Sequence, residues 1–294
     1  MLRIVFYGTS SFSLPTLRAL AQDSRIQVVG VVTQPDRPVG RHGTITAPPV
    51  KQLALSLNLP VLQFEQVKSD EAYEQLKTLG ADVAIVASFG QIISQRVLDL
   101  YPRGVLNVHP SLLPAYRGAI PLTAAIRDGL TETGITIMLM DAQMDHGPIL
   151  SQRPSAVFPD DTTETLSDRL AEQSAPQLVE ALHNYLAGNL QPREQDHARA
   201  TFVKLLSRED GKLDLAKSAT ELERLVRAYT PWPGTTLEYQ GKRLKVIQAH
   251  IGTQTHEPGL SVTCQDGSIL VLDEVQPEGK KPMSGEAYKN GLHT

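Results

Sequence analysis

Four consecutive apolar residues, Val83-Ala84-Ile85-Val86, stand between segments of helical periodicity, and this pattern restricts the fold more than any other feature of the chain. A strand that is apolar on both sides must be covered on both faces, as in a parallel sheet packed between helices. Comparable short runs occur at Arg3 to Tyr7, Val28 to Thr33, Val105 to Val108 and Ile135 to Met140. Helical patterns fall at Leu14 to Ala21, Pro49 to Leu57, Asp70 to Leu79, Ile120 to Asp128 and Thr165 to Leu186. The alternation predicts an α/β fold with a mostly parallel, Rossmann-like sheet and crossover helices. Its first strand-to-helix turn, Tyr7-Gly8-Thr9-Ser10-Ser11-Phe12, holds one glycine where a dinucleotide fingerprint needs three, so no nicotinamide or flavin cofactor is expected.

Periodicity is lost between Gly188 and Ala200 and resumes in a different form. A helix over Ser218 to Tyr229 leads into Pro231-Trp232-Pro233-Gly234. Short alternating segments follow at Thr235 to Tyr239, Arg243 to Ala249, Leu260 to Cys264 and Ile269 to Val275. Such spacing predicts a smaller antiparallel β-barrel of the OB-like kind. The expected organisation is therefore an α/β domain over 1–188, a linker over 189–200 and a carboxy-terminal OB-like domain over 201–294. The net charge of −4 argues against coating of nucleic acid by charge alone. From Thr201 onward, however, 12 basic residues balance 12 acidic ones, so local patches there remain available for RNA. A single cysteine, Cys264, leaves no internal disulfide framework and no multi-cysteine metal cluster, which suits a reducing cytoplasm. No signal-peptide pattern and no membrane-spanning apolar run is found, and a monomer without membrane contact and without a metal is expected.

The chemistry concentrates in Gly104 to Ala119, which contains Asn107-Val108-His109-Pro110-Ser111-Leu112-Leu113-Pro114. Alternation along a strand sets Asn107 and His109 on one face and Leu106 and Val108 on the other. Both polar groups then stand near the carboxyl end of a strand, where ligands bind in open α/β sheets. Pro110 and Pro114 stiffen the loop that follows. Asp145 lies in a turn-rich loop after another strand, within Met144-Asp145-His146-Gly147-Pro148. An amide, an imidazole and a carboxylate suit acyl transfer to an amine: two donors meet the developing oxyanion, and the carboxylate supports the imidazolium and helps remove the amine proton. No protein nucleophile is needed. Taken singly, each of the three has a commoner structural explanation as a turn former, a capping group or an exposed side chain. Their appearance with Ser111 to Pro114 favours catalysis.

These stretches resemble the folate-dependent formyltransferases. The matching features are Arg3-Ile4-Val5-Phe6 with Gly8-Thr9, Thr33-Gln34-Pro35-Asp36-Arg37-Pro38, Asn107 to Ala119, Asp141 to Leu150, Pro231-Trp232-Pro233-Gly234 and Gln276 to Met283. The late motifs point to the branch of the family that acts on methionyl-tRNA. The resemblance implies Asn107, His109 and Asp145 as the catalytic trio and 10-formyltetrahydrofolate as formyl donor. It further implies that Ser111, Leu112, Leu113 and Pro114, with Phe89, Gly90, Gln91 and Ile92, border the folate. The acceptor would be initiator methionyl-tRNA, with Arg41, in a loop over Arg37 to Lys51 that lacks strand or helix periodicity, touching the acceptor end. Two departures stand out. Arg41-His42-Gly43-Thr44 lacks the adjacent lysines common in that loop, and Gln143 replaces a common glycine. The alternatives are transfer to a small amine such as an amino-sugar nucleotide, formate release to water, and a binding module without catalysis.

Overall fold

The computed structural model describes residues 1–39, 43–253 and 258–292. In chain order it contains β1 (Leu2–Gly8), α1 (Leu14–Gln22), β2 (Ile26–Thr33), β3 (Arg37–Val39), β4 (Thr44–Thr46), α2 (Pro49–Ser56), β5 (Val61–Gln63), α3 (Asp70–Thr78), β6 (Val83–Ala87), α4 (Gln95–Leu98), β7 (Val105–His109) and β8 (Arg117–Gly118). It continues with α5 (Pro121–Arg127), β9 (Glu132–Leu139), β10 (Ile149–Ala156), α6 (Thr163–Leu186), β11 (Phe202–Val203), α7 (Ala219–Ala228), β12 (Thr235–Tyr239), β13 (Lys242–Gly252), β14 (Leu260–Thr263), β15 (Ile269–Pro277), β16 (Met283–Ser284) and α8 (Gly285–Asn290). The chain divides into two compact units. One comprises residues 1–118, 134–155 and 167–202; the other comprises 119–133, 156–166 and 203–294.

The first unit is built on a seven-stranded sheet in the order β10-β9-β7-β6-β1-β2-β5. Strands β5, β2, β1, β6 and β7 run parallel, and β9 pairs antiparallel with β7. The all-apolar runs take the inner places: Ile4, Val5, Phe6 and Tyr7 of β1 are fully buried, as are Val83, Ala84 and Ile85 of β6. Burial on both faces requires the helical layers that the sequence alternation predicts. Along α6, Leu170, Ala171, Ser174, Ala175, Leu178, Ala181 and Leu182 are buried at helical spacing and form its core face. Its Gln177 amide reaches the Ile135 carbonyl and the Ser151 hydroxyl.

In the second unit β12-β13-β15-β14 form an antiparallel sheet, with β16 added on β15. The long β13 shifts register between Val246 and Ala249, a bulge of the kind that bends a strand in small barrels. Helix α7 starts on a capping box in which Ser218 and Glu221 satisfy each other's main-chain N–H.

Some elements carry no sequence signal. Within the loop over Arg37 to Lys51, expected without strand or helix periodicity, β3 and β4 pair as an antiparallel ribbon. Thr44, Ile45 and Thr46 are all exposed, so the strand has no buried face to set up an alternation. Arg41 lies outside the described residues. Among the described residues no helix is long and apolar enough to cross a membrane.

Candidate active site

Strand β7 delivers Asn107 and His109 as the alternation predicts. Asn107 is half-buried, while His109, the last residue of the strand and opposite Thr136 of β9, is buried. Asp145 arrives from the turn between β9 and β10, and its Oδ1 lies 3.5 Å from the Asn107 Nδ2 and 3.6 Å from the His109 Nδ1. The three residues therefore meet around one carboxylate oxygen. His109 Nε2 stands 3.0 Å from the Tyr116 carbonyl, an acceptor, so this nitrogen carries a hydrogen. The second Asp145 oxygen, Oδ2, accepts the Gly118 N–H at 2.7 Å.

The turn that carries Asp145 is tightly constrained. Asp145 has φ of 49°, a left-handed conformation uncommon outside glycine. Two residues later a Cβ at Gly147 would stand 2.0 Å from the Leu139 carbonyl oxygen, so only glycine fits. The buried Gln195 amide donates from Nε2 to the main-chain oxygens of Asp145, at 2.9 Å, and Gly147, at 2.7 Å. Its Oε1 accepts from the buried Arg117 at 3.2 Å from Nε and 2.6 Å from Nη2. Arg117 Nη2 also faces His197 Nδ1 at 2.9 Å, and the His197 ring stacks on His146, which pairs with Asp141 at 2.7 Å.

Two loops adjoin the trio because β6 and β7 are parallel neighbours, with Ala87 level with Val108. After β7, the Ser111 to Pro114 segment is pinned by one hydroxyl. Thr136 Oγ1 donates to the Ser111 carbonyl at 2.6 Å and accepts from the Leu113 N–H at 3.1 Å and the Gln152 amide at 3.0 Å. Leu113 is buried against Met138 and Ile149, while Leu112 and Pro114 remain partly exposed. After β6, Ser88 and Gly90 take positive φ, and Phe89 turns inward against Tyr7 with ring centroids 5.2 Å apart. Burial pushes the Tyr7 phenol well above its ordinary pKa, with its Tyr101 partner adding to the effect, so a neutral hydroxyl pair underlies this loop. The Phe89 carbonyl accepts from Thr9 Oγ1 at 2.7 Å and from Gln34 Nε2 at 3.2 Å. Gln91 spends its amide on Val67 N–H and the Phe64 carbonyl, whereas Ile92 is 75% exposed. Of the eight loop residues singled out for the folate, Phe89 and Leu113 are thus core-packed, Leu112 and Pro114 are partly exposed, and Ile92 is largely exposed.

Sequence reasoning singled out neither Gln195 nor Thr136, and gave Arg117 no role of its own. Arg117 lies inside the informative stretch, and a charged residue between Tyr116 and Gly118 was its only signal. Among the described residues, no group of three or more His, Cys, Asp or Glu side chains could hold a metal ion.

Two family models match the chain. The formyl transferase model covers residues 2–182, and the formyl transferase C-terminal domain model covers residues 205–293. The methionyl-tRNA formyltransferase of Roseiflexus castenholzii is 47% identical over 302 aligned residues, spanning 99% of this chain and 96% of that protein. The methionyl-tRNA formyltransferase of Geobacter sulfurreducens is 41% identical, spanning 99% and 94%. Among solved structures, the N-formyltransferase from Helicobacter canadensis in complex with folinic acid and dTDP-3-aminofucose superposes with a TM-score of 0.67 at 14% identity, over 92% of this chain and 99% of that one. HypX from Aquifex aeolicus in complex with tetrahydrofolic acid superposes with a TM-score of 0.64 at 18% identity, over 99% of this chain and 47% of that one. At such identities these structures speak to the fold. With both models matched and near full-length relatives above 40% identity, the chain belongs to the formyl transferase family.

Proposed function

We infer that this chain transfers the formyl group of 10-formyltetrahydrofolate to the free amino group of methionine on initiator methionyl-tRNA. The observation that carries the reading is 41% to 47% identity, across 98% to 99% of the chain, to proteins named methionyl-tRNA formyltransferase. The convergence of Asn107, His109 and Asp145 supports it. In this reading residues 1–188 carry the chemistry, 189–200 connect, and 201–294 recognise the acceptor. The protein works as a monomer in the cytoplasm.

The residues divide the work as follows. The methionyl amine, with an α-amino pKa of roughly 7.7 to 8.0, attacks the formyl carbon as the free base. Negative charge grows on the formyl oxygen, where the Asn107 amide donates and the protonated His109 ring donates from Nδ1, its Nε2 hydrogen being held by the Tyr116 carbonyl. Asp145 Oδ1 faces both donors and orients them, and through water it accepts the proton that leaves the amine nitrogen. Collapse breaks the bond to the folate nitrogen, which leaves with the proton that Asp145 and the water took from the amine. Ser111, Leu112, Leu113 and Pro114 on one side and Phe89, Gly90, Gln91 and Ile92 on the other border the donor. In the first loop Thr136 fixes the shape, and in the second Ile92 offers apolar contact. Arg41 reaches the acceptor end of the tRNA.

The test offers the purified protein 10-formyltetrahydrofolate with methionyl initiator tRNA, with an amino-sugar nucleotide, or with water alone. Formylated methionyl-tRNA, with background formation of formyl-sugar and formate, is the expected result. Preferential formylation of the amino sugar would overturn the acceptor assignment, and formate release at the same rate in all three would overturn transfer itself.

A further inference from the structure

We propose that Gln195, locked by Arg117, is a positioning residue for Asp145 that acts through the main chain of its turn. This rests on the role given to Asp145 above.

A carboxamide offers two donor hydrogens on one side and one acceptor oxygen on the other. Here both donors are spent on the carbonyls of Asp145 and Gly147, which bracket the turn. The acceptor is spent on two Arg117 donors. A guanidinium cannot accept, so the amide cannot turn over without setting donors against donors. Arg117 thereby fixes which end of Gln195 faces the turn. Gln195 is 5% exposed and Arg117 3% exposed, so water does not replace these bonds. The clamp holds a residue at φ of 49° whose Oδ1 sits 3.5 and 3.6 Å from the groups it serves, already at the outer limit of direct contact. Further drift of the turn separates the carboxylate from Asn107 and His109.

Gln195→Glu keeps the side chain's size and its contact with Arg117 but turns an acceptor toward two carbonyls; Gln195→Ala removes the donors without repulsion. Both are measured with 10-formyltetrahydrofolate and methionyl-tRNA, alone and combined with Asp145→Asn, with heat unfolding recorded for each. Misplacement by about 1 Å costs on the order of 100-fold, so kcat should fall about 10- to 100-fold in both variants with KM for the donor nearly constant. In the Asp145→Asn background either change should add little, because the group being positioned is already gone. Wild-type kcat in both variants removes Gln195 from the mechanism while the activity stands. An equal loss with and without Asp145→Asn shows general damage and also overturns the proposal. Full turnover in Asp145→Asn alone would refute the role of Asp145 itself and this inference with it.

Discussion

Replacing Thr136 by Val tests whether a single hydroxyl holds the loop beside Asn107, His109 and Asp145. The side chain is fully buried, and its oxygen joins the Ser111 carbonyl, the Leu113 N–H and the Gln152 amide. Valine matches the shape without the oxygen. Gln152 keeps a partner in the Leu113 carbonyl at 2.8 Å, but Ser111 and Leu113, 1% and 3% exposed, each have one main-chain group stripped of the partner seen here. At about 1–3 kcal/mol for each of the two buried groups left unpaired, the change should cost about 2–6 kcal/mol. For a unit of this size that corresponds to a fall of roughly 5–20 °C in Tm by scanning calorimetry. Thr136→Ser keeps the hydroxyl and loses one methyl, which should cost about 1 kcal/mol. With the loop loosened, KM for the folate donor should rise in the valine variant and not in the serine one. A valine variant that melts within about 1 °C of wild type, or a serine variant as damaged as the valine one, would refute the argument.

Asn107→Ala should lower kcat by on the order of 100- to 1,000-fold while donor affinity, measured by equilibrium titration, stays near wild type; undiminished turnover would remove Asn107 from the oxyanion site. The Lys51 ammonium, at 2.7 Å, and then the Gln63 amide hold the Asp36 carboxyl below the usual carboxylate range. A folded-state pKa below the unfolded one contributes stability that is present above about pH 4 and lost as the pH falls through the folded value. The stability gap between wild type and Asp36→Asn should therefore be steady from about pH 5 to 8 and close in stronger acid. A gap that persists unchanged into the acid transition would contradict it. Arg41→Ala should weaken use of methionyl-tRNA and flatten its salt dependence without altering folate affinity. Identical kinetics across a salt series would remove Arg41 from the RNA contact.

Where a physical constraint repeats along the chain, the sequence reveals it. Apolar runs at Arg3 to Tyr7 and Val83 to Ala87 mark β1 and β6 because strands inside a two-sided sheet have no wet face. Period two puts Asn107 and His109 together because a strand allows nothing else. Strand β10 is less visible: its burial fades from Ile149 and Leu150 to exposed Arg153 and Pro154, as suits the edge of a sheet where proline is tolerated. The support of the trio is not periodic at all. Gln195 meets Asp145 across 50 residues and Arg117 across 78, and such pairings are written in the folded chain alone.

The stretch from Arg193 to Thr201 bears on how enzymes of this kind are recombined. Arg193 exchanges main-chain hydrogen bonds with Ile149, Gln195 grips the Asp145 turn, and Thr201 accepts from the Tyr116 and Arg117 N–H groups. A chimera that grafts a foreign carboxy-terminal unit at Gly188 would carry the donor's version of all these contacts into a site built for others. A junction placed after Phe202 keeps them with their own partners. Exchange of carboxy-terminal units should succeed or fail on those few residues of seam.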